Sequence, residues 1–413
     1  MRKNIVLLMI ALMLAGYQLP VAAGEVDILV NKLVEKDILT PVEAQIILDE
    51  TKTEVAKQIA EGKSSTLPAW VQNVKLKGDF RLRYQAEDKK SGADRHRGRI
   101  RYRLGVESKV NKKLKVAAGF ASGGADPRST NQTLENSFDT GDIRLDYAYA
   151  EWMSAPWATV KAGKIAGIKN LIFRPTDLLW DSDINPEGVT VQLTKSANSD
   201  LGLFLNSSVW ILDESSSDKS DPFMGVIQPG VEYNFGSLGL IGDVKVKLAC
   251  AYYWFQGVKG STLDYSAGTN TLDGSVLKYE YDTISPAIEV KFSEPFNGVV
   301  PMFALFAESV HNPDPANNNN GWAAGLKFGD SKIGKWGDWQ AGYLYRRLEK
   351  DAWLDAFPDS DAYSGGTGVK GHEITFEYGL SEHTSLGFDW YQMKQIEGAG
   401  ENNVFQIDWQ LKF

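Results

Sequence analysis

The alternation of apolar and polar residues from Val74 to the carboxyl terminus constrains the fold of this 413-residue chain more than any other feature. In the first run, Lys75, Lys77, Asp79, Arg81 and Arg83 alternate with Val74, Leu76, Phe80, Leu82 and Tyr84. In the last run, Gln406, Asp408, Gln410 and Lys412 alternate with Phe405, Ile407, Trp409, Leu411 and Phe413. A period of two predicts strands with one apolar face and one polar face.

About fourteen further runs of this kind lie between those two. They fall near 97–110, 113–121, 140–153, 158–164, 188–194, 201–212, 223–235, 244–255, 277–292, 299–310, 321–329, 338–348, 371–380 and 385–394. Together with the first and last runs they make about 16 strands, so the sequence predicts an antiparallel barrel of that size. The even number agrees with this interpretation, since outer-membrane barrels have an even number of antiparallel strands.

The connections between the runs alternate in length. Short turns such as Asn111 with Lys112 separate long polar loops near 86–96, 122–139, 165–187, 213–222, 256–276, 311–320, 349–370 and 395–402. In outer-membrane barrels, short periplasmic turns alternate with longer external loops. An even strand count would also return both ends of the barrel to the periplasmic side.

The amino-terminal residues are typical of a secretory signal peptide, predicted as residues 1–23. Arg2 and Lys3 precede an apolar stretch, and cleavage is expected after Ala23. Because residues 1–23 hold those two cations and no acid, cleavage changes the formal charge from −9 to −11. So acidic a chain is not expected to bind nucleic acid. The single cysteine, Cys250, excludes an internal disulfide.

Residues 24–68 have a helical rather than a strand period, and they are predicted as a periplasmic helical segment and linker. A short helix is expected to end near Lys36 and a second near Glu61, with Thr40 as the cap before Pro41 and Glu43. Residues 69–413 are predicted as the transmembrane barrel domain. Self-association of the helical segment and a hairpin that packs on itself both stay open.

Alternation alone also describes a soluble antiparallel sheet. The export sequence, the number of strands and aromatic residues at strand ends favour a barrel in lipid. Those aromatic residues are Trp152, Trp157, Phe235, Phe292, Trp339 and Tyr345.

The second run decides which face meets lipid. Arg97, Arg99, Arg101 and Arg103 share one face, and each would cost about 2–4 kcal/mol at the middle of a bilayer. The arginine face is therefore expected to line a hydrated lumen, for which barrels of about 16 to 18 strands are wide enough.

Several stretches resemble a known family. The run that ends on Trp409, Leu411 and Phe413 resembles the carboxy-terminal assembly signal of bacterial outer-membrane barrels. Residues 179–188 (LWDSDINPEG), residues 337–348 (GDWQAGYLYRRL) and Asp359-Ser360-Asp361 with Gly365-Gly366-Thr367 resemble the "putative porin" family of Gram-negative bacteria. The resemblance implies passive diffusion of small hydrophilic solutes across the outer membrane.

The first candidate site is a basic pore wall. It comprises Lys75, Lys77, Arg81, Arg83, Arg97, Arg99, Arg101 and Arg103. We expect this wall to give a modest preference for anions. As a register for the first hairpin, we predict Arg83 opposite Arg97, Arg81 opposite Arg99 and Asp79 opposite Arg101.

The second candidate site is the third long loop, near 165–187. In general porins the third external loop folds into the lumen, and here the acids would face the arginines across a constriction. These acids are Asp177, Asp181, Asp183 and Glu187. A solvated surface loop is the alternative interpretation.

No catalytic residue, cofactor or metal site is predicted. His96, His311, His372 and His383 lie on loops or strand ends without a triad spacing, and the Asp181/Asp183 and Asp359/Asp361 pairs offer too few ligands for calcium. Expected partners are outer-membrane lipid, the barrel-assembly machinery through Phe413, small solutes and two further copies in a homotrimer. A surface adhesin or a barrel enzyme without a conducting pore are the alternatives.

Overall fold

A computed structural model describes residues 30, 33–36, 39–60, 73–90, 92–214 and 221–413. For residues 51, 52 and 54–60 it describes the backbone alone. The predicted signal peptide and the linker at 61–68 lie outside the described residues, as does most of the predicted first helix.

The amino-terminal unit contains helix α1 (Pro41–Ala60), and residues 33–35 before it are also helical. It begins where the sequence places the cap. The Glu43 amide donates a hydrogen bond to Thr40 Oγ1 at 3.3 Å, and the Thr40 amide donates to Glu43 Oε2 at 2.9 Å. This reciprocal pair satisfies amide groups that the first turn of a helix leaves without partners. Among the described residues, no helix has both the length and the apolar character that a membrane span requires.

Sixteen long strands form the second unit. They are β1 (Val74–Lys89), β2 (Arg95–Lys109), β3 (Leu114–Ser122), β4 (Ile143–Ala155), β5 (Ala158–Lys164), β6 (Glu187–Ser196), β7 (Leu201–Ile211), β8 (Phe223–Ser237), β9 (Asp243–Gln256), β10 (Thr283–Ser293), β11 (Met302–His311), β12 (Asn320–Gly329), β13 (Trp339–Leu348), β14 (Val369–Ser381), β15 (Thr384–Gln395) and β16 (Glu401–Lys412). The predicted strand number is confirmed.

Each strand pairs antiparallel with the next, and β1 also pairs with β16. The sheet is therefore a closed barrel. At the seam, Gly78 and Phe413 exchange two backbone hydrogen bonds of 2.8 and 3.0 Å. A short strand, Gln132–Thr133, pairs with β2 inside the second loop, and a two-residue hairpin joins Leu272–Asp273 to Val276–Leu277.

Connections alternate between the two ends of the barrel. At the end with the longer connections, which we call the loop end, they are residues 90–94, 123–142, 165–186, 212–222, 257–282, 312–319, 349–368 and 396–400, numbered here as the first to eighth loops. At the opposite end, called the turn end, they are residues 110–113, 156–157, 197–200, 238–242, 294–301, 330–338 and 382–383. The first residue of β1 and the last residue of β16 both lie at the turn end.

The predicted first loop, 86–96, is wrong in its bounds, because β1 continues to Lys89 and β2 begins at Arg95. Sixteen residues that rise about 3.3 Å each make a strand roughly twice as long as the apolar band of about 25 Å. The end of such a strand projects beyond the band and can be polar on both faces. This projection explains why the alternation fades before the strand ends.

The two faces of the barrel differ as the alternation predicts. Outward-facing side chains are apolar and exposed, for example Leu82, Tyr102, Val209 and Ile227. Aromatic side chains lie near the strand ends on this surface, including exposed Trp152 and a pair formed by Trp322 and Tyr345 with ring centroids 5.3 Å apart. An exterior of this kind suits contact with lipid.

The loop half of the interior is filled rather than open. The third loop (165–186), the fifth loop and the seventh loop contribute apolar residues to one buried cluster with inward-facing residues of β7 to β13. Trp180 lies at its centre, with ring centroids 5.8 Å from Trp210, 5.5 Å from Trp353 and 5.0 Å from Phe357. Aromatic pairs of this kind stabilise by about 0.5–1.5 kcal/mol each beyond their burial.

Candidate functional site

The arginine ladder lies on the inner face of β1 and β2, as predicted. Its register differs from the predicted one by two residues: Arg83 pairs with Arg99, Arg81 with Arg101 and Asp79 with Arg103. A shift of two leaves every side chain on the same face. The first hairpin turns one residue farther along the chain than the predicted register required.

The ladder is bound to carboxylates instead of standing open to water. Arg83, 3% exposed, donates to both oxygens of Asp408 at 2.7 Å and to Asp361 at 3.0 Å. Arg81 lies 3.4 Å from Asp408 and donates to Asn131 at 2.7 Å. The expected hydrated wall is thus wrong for these two side chains, because the second and seventh loops cover them.

Asp79 joins the other end of the ladder. Its two oxygens accept hydrogen bonds from Arg101 at 2.8 Å and Arg103 at 2.7 Å. Arg97 lies 3.5 Å from Glu87. Arg99 contacts Gln85 at 3.0 Å and Ser129 at 3.3 Å, and no described carboxylate lies within 4 Å of it. Arg99 is therefore the ladder arginine whose charge is least neutralised by direct pairing.

The two lysines of the predicted basic wall lie nearer the turn end. Lys75 is exposed on the inner face. Lys77 is 61% exposed and lies 3.3 Å from Glu107, which is opposite Lys75 in the register. Unlike the arginines, these two side chains are open to the lumen.

The third loop crosses the interior of the barrel. The Phe173 amide donates to Gln228 of β8 at 2.7 Å, and Thr176 donates to Glu308 of β11 at 2.6 Å. On the other side, Asp183 lies 3.3 Å from Arg103 of β2. Contacts with strands this far apart around the barrel require the loop to lie within the lumen. The solvated-loop alternative is therefore wrong.

The predicted loop acids have different surroundings. Asp183 also accepts from the Thr130 amide and hydroxyl at 3.1 and 2.9 Å. Although burial opposes it, the charges of Arg101 and Arg103 hold the pKa of Asp183 below its ordinary value. Among the described contacts, Asp181 accepts hydrogen bonds from the backbone amides of Ser360 at 2.8 Å and Asp183 at 2.9 Å, and burial raises its pKa to about 7.

Glu187 is not a loop acid. It is the first residue of β6, its side chain is 61% exposed, and it lies 2.5 Å from Lys164. The loop ends at residue 186 because pairing with β5 begins one residue later. Glu187 therefore does not belong to the group of acids that faces the arginines.

A second charged cluster surrounds Arg346 of β13, which sequence reasoning missed. Its guanidinium contacts Asp177 of the third loop, Glu373 of β14 at 2.6 Å and Asp359 of the seventh loop at 3.6 Å. The three carboxylates lie close enough together to hold a metal ion. Arg346 already supplies the positive charge between them. The alternation of inward-facing and outward-facing residues along β13 could have shown that Arg346 faces the lumen.

Inward-facing lysines predominate at the turn end of the barrel. They are Lys75, Lys77, Lys109, Lys115, Lys161, Lys245, Lys247, Lys291, Lys327 and Lys412. The acids at corresponding positions are Glu107, Glu151, Glu232, Glu289, Glu377 and Asp243. We call this lysine-rich region the vestibule.

Several cavities lie within the barrel. A cavity of about 660 Å³ lies between this loop and the inner wall of β6 to β9. Two cavities of about 300 and 390 Å³ lie near the loop end, and Tyr363 and Thr269 border both.

A family model described as "Putative porin" matches residues 30–92, 88–291 and 302–413. The chain belongs to the putative porin family. A sequence comparison with curated proteins finds no match. As a porin-family protein with this barrel, the chain is an outer-membrane channel protein.

Solved porin structures are similar to this chain at low identity. OprB of Pseudomonas putida is 12% identical, with a TM-score of 0.53 over 83% of this chain and 95% of that one. OmpF of Salmonella typhi, in a complex with daunomycin, is 10% identical with a TM-score of 0.48 over 82% and 97%. A triple mutant of the Rhodopseudomonas blastica porin is 11% identical with a TM-score of 0.46 over 82% and 100%.

The histidines of this porin have neighbours that do not form a nucleophilic triad. The rings of His96, His311 and His372 contact Tyr84, Asn320 and Tyr343, at 2.8 to 2.9 Å. Among the described contacts, no histidine ring pairs with a serine hydroxyl. The family and the fold indicate a channel.

Proposed function

We propose that this porin lets small hydrophilic solutes and ions diffuse passively through its lumen, with a modest preference for anions. The observation that carries the proposal is the lysine excess of the vestibule, on the inner face of a barrel whose outer face is apolar. Counterions and solutes reach that face through water. The third and seventh loops narrow the lumen, which limits passage to small solutes.

The vestibule, rather than the arginine ladder, is the main source of the anion preference. Ladder arginines bound to Asp79, Asp361, Asp183 and Asp408 present little net charge to a passing ion. Lys291 and Lys327 face the lumen and have no described carboxylate within 4 Å. At physiological ionic strength, charges farther than about 8 Å from the path are largely screened. Lysines on the path therefore dominate.

The remaining assignments belong to the same proposal. The turn end and α1 face the periplasm, Phe413 is recognised by the barrel-assembly machinery, and the protein forms a homotrimer. The wall residues Lys75, Lys77 and Arg99 line the path, and the third loop with Asp177, Asp181 and Asp183 forms its constriction. In support, the loop crosses the lumen next to the ladder.

Planar-bilayer recording under a salt gradient tests the proposal. Wild-type protein should conduct and give a reversal potential on the anion side. Lys291→Glu with Lys327→Glu should shift that potential towards cations. The matched control is Lys112→Glu with Lys113→Glu, because both lysines are exposed on the turn after β2 and the charge change is the same. Absent conductance, or equal shifts in the two variants, would refute the proposal.

A further inference from the structure

The cavity of about 660 Å³ beneath the third loop combines cations with aromatic surfaces. Its cations are Lys169 and Arg174 of the third loop, Lys195 of β6 and Lys247 of β9. Phe173, Phe204 and Trp157 supply aromatic surface. The volume lies within the range of about 300–1,000 Å³ that is usual for sites binding small molecules.

The positive charge of the cavity is incompletely neutralised. Lys169 and Arg174 have no described carboxylate within 4 Å, and Arg174 donates to the Trp180 carbonyl. Glu232 is the one acid among the lining residues. It lies 2.5 Å from Lys245 and 4.0 Å from Lys247, so its charge is already shared.

Other cations lie near Lys169 of the third loop. Burial lowers the pKa of Lys169, and the charges of Arg103 and Arg174 lower it further. An anion in the cavity would relieve this repulsion, because it would bring opposite charge to groups that now repel one another.

The aromatic rings favour a particular kind of anion. The Lys247 ammonium lies 4.8 Å from the Phe173 ring centroid and 4.9 Å from that of Phe204. Cation–π contacts of this kind hold the ammonium between the two rings. Ile172 and both rings line the same cavity as Lys169 and Arg174, so the carbon skeleton of a carboxylate attracted to these two cations can lie against them. Inorganic anions gain nothing from such apolar surface.

The floor of the cavity is fixed by polar contacts. Gln192 donates to the Asn170 and Leu171 carbonyls at 3.1 and 3.3 Å, and to Asn206 at 3.2 Å. These bonds tie the third loop to β6 and β7, and so they hold the loop cations over the vestibule. A site prepared in this way loses less conformational entropy when a ligand binds.

We propose that this cavity is a binding subsite for small organic carboxylates with an apolar or aromatic body. The proposal deepens the proposed channel function and rests on it, because solutes reach the cavity through the vestibule. Lys169 and Arg174 attract the carboxylate, and the phenylalanine rings retain the apolar part.

Benzoate is the probe, with benzyl alcohol and benzylammonium as uncharged and cationic analogues of similar shape. Calorimetry on the full-length protein in detergent should show benzoate binding that is at least tenfold tighter than acetate binding, and no binding of either analogue. In bilayers, benzoate should reduce the potassium chloride current in a saturable manner. Equal affinity for acetate and benzoate would overturn the aromatic part of the proposal.

Variants separate the subsite from general attraction by the lumen. Lys169→Gln with Arg174→Gln should weaken benzoate binding at least tenfold, whereas Lys169→Arg should retain it. The matched control is Lys291→Gln with Lys327→Gln, which removes the same charge from inward-facing lysines outside the cavity lining. An equal loss in the control variant would overturn the subsite.

Binding and conductance fail separately. Conductance without any benzoate binding would overturn the subsite and leave the channel standing. Benzoate binding in detergent without conductance would overturn the channel function, while the subsite would stand as a site of other use. Circular dichroism on each variant identifies a misfolded barrel. If the double variant misfolds, the Lys169→Arg variant still tests the subsite.

Discussion

Replacement of Arg346 by glutamine removes the cation that contacts a group of three carboxylates, two of them buried. The side chain is 2% exposed and contacts Asp177, Asp359 and Glu373. Two of these acids belong to loops that fill the lumen, so the guanidinium joins the third and seventh loops to the barrel wall. We expect Arg346→Gln to loosen both loops.

The size of the effect follows from the spacing of the charges. Ligand oxygens of the three acids all lie within 4.8 Å of one another. At that distance and an effective dielectric constant of about 20, two unit charges repel by roughly 3.5 kcal/mol. Removing one partner of a buried ion pair usually costs about 3–5 kcal/mol. We expect a loss of that order in the free energy of unfolding.

The loss should depend on pH. Burial and the charge of Asp177 raise the pKa of Asp359 above its ordinary value, and Arg346 opposes this shift. Without the arginine the pKa of Asp359 rises further. At pH values above the ordinary pKa of a carboxyl group, the folded protein then binds more protons than the unfolded chain. Stability then increases as the pH falls. Arg346→Gln should be most destabilising at pH 8 and less so at pH 5.

Urea unfolding in detergent at both pH values measures this prediction. The neighbouring Arg347 is the control, since it faces outwards and lies 3.0 Å from Glu349 alone among described acids. A partly exposed pair of this kind contributes at most about 1 kcal/mol. Equal losses for Arg346→Gln and Arg347→Gln, or a loss independent of pH, would refute the reasoning.

Two further predictions concern assembly. Gly78→Ala should slow barrel closure, because a Cβ at Gly78 would collide with the Phe413 ring and the Arg103 carbonyl. Gly202→Ala is the control, because the atom nearest to a Cβ at Gly202 is 3.9 Å away. Heat-dependent electrophoretic mobility measures closure, and equal rates would contradict the prediction. Deletion of residues 26–62 should reduce the oligomer size in light scattering if the helical segment holds protomers together, and an unchanged size would exclude that role.

The strands could be predicted from the sequence because their pattern is local. Alternation assigns each side chain of a strand to a face, and it placed Arg81 and Arg99 on the inner face without any knowledge of their neighbours. Register could not be predicted in the same way. It depends on where the first hairpin turns, and the polar residues at that turn alternate too weakly to show it.

The ion-pair partners could not be predicted either. Arg83 meets Asp361 and Asp408, which are 278 and 325 residues away along the chain. Their charge and their positions in the alternating pattern show that such groups face inwards. Only the closure of the barrel and the path of the seventh loop bring them together. A hydrated wall was therefore expected where the structure has a compact network of buried charges.

The sequence did contain one sign that the lumen is partly filled. Leu178, Leu179 and Trp180 stand together in the third loop, and Trp353 stands between Ala352 and Leu354 in the seventh. Solvated loops gain nothing from such apolar runs, whereas loops that pack on each other do. Trp353 donates to the Leu179 carbonyl at 2.8 Å, which joins the two runs. This packing fills much of the loop half of the barrel interior, so the two apolar runs in the sequence are explained by contact between the third and seventh loops inside the lumen.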